Sequence, residues 1–226
     1  MPLRILSAGS TLHGLQACAE LAAQALGGPL TLATDHGHNI REAVLRGDAA
    51  ADVVLVPADM ADALAAKGLV RETAPLGTVG IGGVVGNGGK PPGISTMAEL
   101  REALLKAELV YLTRAPTGEH LFKVITELGL RDAMTQKLHA FDTAKKLIED
   151  IAVRVQTALG FAPETEIRAA KGVTWVGDVP PEIQVALPYE AVMLKTAPDI
   201  ARDFLSFLKT PAAEAAFAAS GVRNAR

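Results

Sequence analysis

Two histidines flank a glycine in 34-TDHGHNIREAV-44, and His36-x-His38 could offer two metal ligands or a general base and acid. A tetrahedral metal site needs a third donor in the right place, and His13, His120 and His139 complete no H-E-x-x-H. The single cysteine, Cys18, excludes an internal disulfide and any multi-cysteine cluster, and within 15-LQACAELAAQAL-26 it reads as a small core residue. Neither a metal nor a cofactor is therefore expected. The other chemistry open to these residues is anion binding. The stretches 7-SAGST-11, 35-DHGHN-39 and 115-APTG-118 each stand between an apolar strand pattern and a helix. A helix start holds an oxyanion with unpaired N–H groups and the positive end of its dipole. Small residues such as Ser10, Thr11, Thr117 and Gly118 let the backbone approach a ligand and add hydroxyl donors. Simple helix capping is the plain alternative for each hydroxyl, but three such stretches together favour a site.

Arg114 closes a strand pattern beside 115-APTG-118, where a guanidinium would suit a bidentate carboxylate; a solvent-facing charge is the plain alternative. His36 and His38 can also donate to a carboxylate, and unlike serine they can move protons near neutral pH. Other standard motifs fail. The glycines between 77 and 89 form no G-x-G-x-x-G, and Lys90 is followed by Pro91 where a phosphate loop needs Ser or Thr. No G-x-S-x-G elbow occurs.

The elements that must position these residues alternate between short apolar runs and amphipathic runs, which argues for an α/β fold with mainly parallel strands. Strand patterns cover 3–9, 29–34, 52–58, 108–114, 158–163 and 173–180. Helix patterns cover about 12–26, 39–47 (Asn39 as N-cap, Gly47 as C-cap), 59–68, 96–107, 119–129 and 143–157, with two closing helices in 198–221 broken at Pro211. Extended crossings near 77–84 and 184–190 suggest two lobes joined by two strands: residues 1–79 with 188–226, and residues 80–187. A cleft between such lobes is a natural ligand site.

The 226 residues can bury a large core, and 49% hydrophobic with 21% charged residues is ordinary for a globular protein. A net charge of -3 offers no general attraction to nucleic acid or an anionic membrane, so an anion site has to be local. No apolar run approaches the ~18 residues of a membrane span, and 1-MPLRILSAGST-11 carries no leader pattern. As written the chain is expected in the cytoplasm, or in the periplasm if a leader has been removed.

The pieces 5-ILSAGST-11, 40-IREAVLRGDAAADVVLVPAD-59, 115-APTGEHLFKVITELGL-130, 158-ALGFAPETEI-167, 175-WVGDVPPEIQ-184 and 204-FLSFLKTPAAEAAFAASGV-222 together resemble the periplasmic-binding-protein family of the molybdate-binding, ABC-transporter type. The resemblance implies a two-lobed type II fold, each lobe a mainly parallel sheet flanked by helices, with two crossover strands. It implies an oxyanion contact at Ser10, a second near His38, backbone amide donors at Thr117 and Gly118, and a further contact near Thr143 and Ala144. The chain departs from that family in its Ser-rich loop, replaced by 36-HGHN-39, and in a tyrosine, replaced within Phe161-Ala162-Pro163. These departures lead away from molybdate and toward a carboxylate. The 158–184 region is similar to an offshoot of the family that includes aconitate isomerase.

Two functions follow. One is a solute-binding protein closing two lobes over a small organic or inorganic anion, with an ABC permease as partner if it serves transport. The other is an isomerase of an unsaturated polycarboxylate, in which Arg114 clamps a carboxylate and His36 or His38 moves the proton. Binding is preferred, because catalysis needs the additional assumption.

Overall fold

The computed structural model of the chain describes residues 1–154 and 158–223. The elements run β1 (Leu3–Ala8), α1 (Gly9–Leu26), β2 (Leu30–Asp35), α2 (Gly37–Arg46), β3 (Val53–Pro57), α3 (Ala58–Ala65) and β4 (Val70–Val79). There follow β5 (Ile81–Gly86), α4 (Met97–Lys106), β6 (Leu109–Thr113), α5 (Pro116–Glu127), α6 (Arg131–Met134), β7 (Leu138–Phe141), α7 (Ala144–Val153), β8 (Ala158–Pro163), α8 (Glu164–Ala169) and β9 (Val173–Asp178). The chain closes with β10 (Leu187–Leu194), α9 (Ile200–Phe207) and α10 (Pro211–Ala219). It divides into two compact units, Met1–Val79 with Leu187–Arg226, and Gly80–Ala186.

Unit 1 is built on a five-stranded sheet of order β2-β1-β3-β10-β4. Strands β2, β1 and β3 are parallel, and β10 runs antiparallel between β3 and β4. The centre of the sheet is Val53-Val54-Leu55-Val56, every side chain fully buried. Helices cover both faces there, so the run is continuous rather than alternating. At the edge, β4 alternates instead and tolerates Pro75, whose missing N–H costs least on an edge strand. Helix α10 docks on α1 through Gly14, where a Cβ would lie 2.5 Å from the Phe217 ring.

Unit 2 repeats the plan with the order β7-β6-β8-β5-β9, in which only β5 opposes its neighbours. Successive β6 side chains point to opposite faces: Val110 and Leu112 pack with α4 and α5, and Tyr111 packs with α7. The Tyr111 hydroxyl donates to Asp150 (2.7 Å), and burial together with that carboxylate pushes the phenol up to about 12.

The expected α/β architecture of mainly parallel, helix-flanked sheets is what the chain adopts. Several boundaries differ. Helix α1 begins at Gly9, three residues before the apolar periodicity starts, because Ala8 is already the extended N-cap. Helix α5 begins at Pro116, since proline fits a first helical turn whose N–H groups have no intrahelical partner. Asn39 lies inside α2, and the N-cap is His36, whereas Gly47 ends that helix in the left-handed region as expected. Residues 181–183 form a turn, so β10 starts only at Leu187. Strand β7, α6 and α8 carry four to six residues each, too few to show a period. The expected end of the helix observed as α7, Thr157, lies outside the described residues.

One polar interaction ties β1 to the segment entering β3. The Asp52 carboxylate accepts the Arg4 backbone N–H (2.9 Å), its Nε (3.2 Å) and its Nη2 (2.6 Å), and the Asp52 N–H donates to the Arg4 carbonyl (2.8 Å). Burial alone would raise the Asp52 pKa, but the hydrogen bonds and charge of Arg4 outweigh it and hold the carboxyl below the usual carboxylate range. A lowered folded-state pKa means this stabilisation is complete above the ordinary aspartate value and disappears as pH falls through the folded one. Asp52→Asn is expected to cost about 1–2 kcal/mol at neutral pH, the solvent-exposed half of Arg4 limiting the loss, and to flatten the acid limb of stability against pH. Urea unfolding across that range measures both; unchanged stability and an unchanged acid limb would remove the pair's role.

Candidate anion-binding site

In unit 1 the register from Leu3↔Leu30 to Ala8↔Asp35 brings the ends of β1 and β2 level, so α1 and α2 start side by side. In unit 2 the register from Val110↔Leu138 to Thr113↔Phe141 does the same for β6 and β7, and hence for α5 and α7. The first-turn N–H groups of each pair collect along one sheet edge, at the positive ends of the helix dipoles.

The local sequence leaves some of those ends open. Among the described residues, the N-cap side chains Ala8, His36 and Ala115 make no bond to α1, α2 or α5. No acidic residue stands in the first turn of α1 or α2, while α5 carries Glu119 there. Helix α4, by contrast, starts in a full capping box between Thr96 and Glu99, and α10 is capped by Thr210. Helix α7 is also capped, Thr143 Oγ1 accepting the Lys146 N–H at 3.0 Å.

Ser10 is the second residue of α1 and is 5% exposed. Thr11 turns inward: its hydroxyl meets Ser7 Oγ at 2.9 Å and donates to the Ala8 carbonyl at 3.3 Å. The same arrangement recurs in unit 2, where Thr117 Oγ1 lies 3.3 Å from Thr113 Oγ1. Ser7 and Thr113, on the strands, were not among the expected site residues. The four-residue spacing of hydroxyls across a strand–helix junction is the signal that could have found them. Gly118 packs against β6, and a Cβ there would fall 1.9 Å from the Thr113 carbonyl oxygen. His36 and His38 are exposed; the His36 N–H donates to Asp35 Oδ1 (2.7 Å), and His38 Nδ1 lies 3.4 Å from Arg41 Nη2. Arg114 donates its backbone N–H to the Phe141 carbonyl (2.8 Å), and its exposed Nε lies 3.2 Å from Asp142 Oδ1.

The fold thus groups Ser10, Thr11, His36 and His38 at two neighbouring helix starts of unit 1. It groups Arg114, Thr117, Gly118 and Thr143 at two neighbouring helix starts of unit 2. Among the described residues no three of His, Cys, Asp and Glu gather as metal donors. Cys18 is fully buried in the unit 1 core, and burial pushes its thiol up to about 11, which leaves it unreactive near neutral pH. Each unit by itself offers backbone N–H and hydroxyl donors at its helix starts, with imidazoles beside them in unit 1 and a guanidinium in unit 2, all of them groups suited to oxyanions.

A sequence profile for bacterial extracellular solute-binding proteins matches residues 3–223. The chain belongs to that family. Among solved structures, the periplasmic molybdate-binding protein of Azotobacter vinelandii superposes with a TM-score of 0.80 at 19% identity, covering 99% of this chain and 100% of that one. The substrate-binding domain of a putative molybdenum ABC transporter from Clostridium difficile superposes with a TM-score of 0.76 at 16% identity, covering 100% and 99%. An aconitate isomerase from a Pseudomonas species is 26% identical over 231 residues, 98% of this chain and 87% of that protein. The structural likenesses establish the fold anticipated from the sequence. No helix of this solute-binding protein is long and apolar enough to cross a membrane, among the described residues.

The start of α5 depends on Gly118, because the contact that a side chain would violate is with backbone. Gly118→Ala is expected to destabilise the solute-binding protein by about 3 kcal/mol, measured by urea or thermal unfolding. A loss under about 0.5 kcal/mol would show that the helix start can slide along β6.

Proposed function

We propose that the chain binds a small organic anion carrying more than one carboxylate, using the helix starts of both units. The observation that carries this reading is the level register of the parallel strands, which brings the starts of α1 and α2, and those of α5 and α7, side by side at one sheet edge of each unit. The N-cap side chains of α1, α2 and α5 make no bond to those first turns, while Thr143 caps α7. Left open at one sheet edge, those N–H groups are what an oxyanion would satisfy. Ser10 adds a hydroxyl, and Arg114 adds a planar, permanently charged donor that can take a carboxylate in a bidentate fork. Closure of the two units over the anion would complete the site, as in hinge-bending binders generally. In a transport role the partner would be an ABC permease and the setting extracytoplasmic.

A second reading is favoured by one finding, the likeness to an aconitate isomerase along 98% of the chain. In it the same helix starts hold an unsaturated polycarboxylate, Arg114 clamps one carboxylate, and His36 or His38 removes a proton and returns it at another carbon. The exposed positions of both imidazoles within unit 1 leave them free to meet a ligand.

A thermal-shift panel of molybdate, sulfate, and di- and tricarboxylates identifies the ligand class. The double variant Ser10→Ala with Arg114→Ala is expected to abolish the stabilisation given by the best ligand; an unaltered shift would sink the site. For the isomerase reading, cis- and trans-aconitate are incubated with the protein in deuterated water and followed by proton NMR. Interconversion with deuterium incorporation, lost in a His36→Gln or His38→Gln variant, supports catalysis. Inert substrates that nevertheless stabilise the fold leave binding alone.

A further inference from the structure

We propose that Asp142 is a built-in stand-in for the ligand's carboxylate, holding Arg114 until an incoming anion displaces it. This rests on the reading of Arg114 as a carboxylate donor. The two units place an aspartate at corresponding points, immediately before the N-cap of the helix that follows the outer parallel strand: Asp35 before His36, and Asp142 before Thr143. Asp35 is used locally, its Oδ1 accepting the His36 N–H (2.7 Å) and Asn39 Nδ2 (2.8 Å). Asp142 has no such task, because Thr143 already caps α7.

The Asp142 carboxylate instead faces the start of α5. Its Oδ1 lies 3.2 Å from Arg114 Nε, and its Oδ2 lies 3.6 Å from Lys146 Nζ. The neighbouring Lys145 is paired along α7 with Glu149. Asp142 is thus a carboxylate between the Arg114 guanidinium and the positive end of α7, the position a ligand carboxylate would take. Both partners are about two-thirds exposed, so the pair is weak and readily exchanged. Such a pair keeps Arg114 occupied, and it sets a threshold that an anion must exceed to bind.

The consequence has the opposite sign from ordinary site damage: removing Asp142 should tighten binding. Binding of cis-aconitate, and separately of molybdate, is measured by calorimetry at low ionic strength for the wild type, Asp142→Asn, Arg114→Ala and the double variant. Asp142→Ser provides an independent second removal, and Glu149→Gln, on the same helix, matches the change in net charge. The expected result is about three- to fivefold tighter binding of the tricarboxylate for both Asp142 variants, the span of an exposed ion pair. The gain should vanish when Arg114 is also replaced, and Glu149→Gln should change affinity less than twofold. Equal gains from Glu149→Gln would reduce the effect to net charge and overturn the proposal. Unchanged or weaker binding on losing Asp142, while Arg114→Ala still weakens it, would overturn the proposal and leave the Arg114 contact standing. No effect of Arg114→Ala, or no binding of either probe, would end both.

Discussion

Parallel strand register is the constraint on which the rest depends. Because β1 and β2 end level at Ala8↔Asp35, and β6 and β7 at Thr113↔Phe141, the helices that follow must begin at the same edge of their sheets. A helix dipole is fixed by chain direction, so every such helix presents its positive end there. An antiparallel arrangement would have scattered those ends between two edges. The antiparallel β10 and β5 do not disturb the pattern, since each enters from the opposite edge and leads no helix of the site. The positive local field at those helix starts thus follows from topology, in a protein whose overall charge is negative.

Packing then decides which residues can stand at those helix starts. Gly118 is demanded by the Thr113 backbone, and the pairs Ser7–Thr11 and Thr113–Thr117 turn their hydroxyls into the strand–helix junction. Thr11 and Thr117 are accordingly better placed to hold the helix starts than to touch a ligand. Ser10, one residue earlier on α1, belongs to neither of those two hydroxyl pairs. The distinction matters, because a hydroxyl that positions an N–H group and one that donates to the ligand look identical in sequence.

The architecture was legible because it rests on runs of residues: Val53–Val56 can be little other than a strand covered on both faces, and two closing helices are announced by their apolar period and Pro211. The site was legible only as a set of junctions. Gly9, Ser10 and Thr11 are poor helix formers and read as loop, yet the first turn of a helix tolerates them, and Ala8 hands the chain to α1 without an intervening residue. Strand β7 was missed because four residues at a sheet edge give no period, and with it went the neighbour that carries Asp142 to Arg114. Long-range pairing of that kind leaves no trace in local sequence.

Binding and isomerisation differ by less than their names suggest. Backbone N–H groups, serine and arginine hold a carboxylate without exchanging protons at neutral pH, so a site made of them alone can only bind. An imidazole both donates and accepts, and one brought beside the acidic C–H of an unsaturated polycarboxylate turns a hydrogen bond into a proton path. Unit 1 already carries two imidazoles at the start of α2, within the stretch 36-HGHN-39. The chemistry open to the protein therefore turns on the ligand's own C–H bonds as much as on the fold. A saturated or inorganic anion at the same helix starts would be held, and an activated one could be changed.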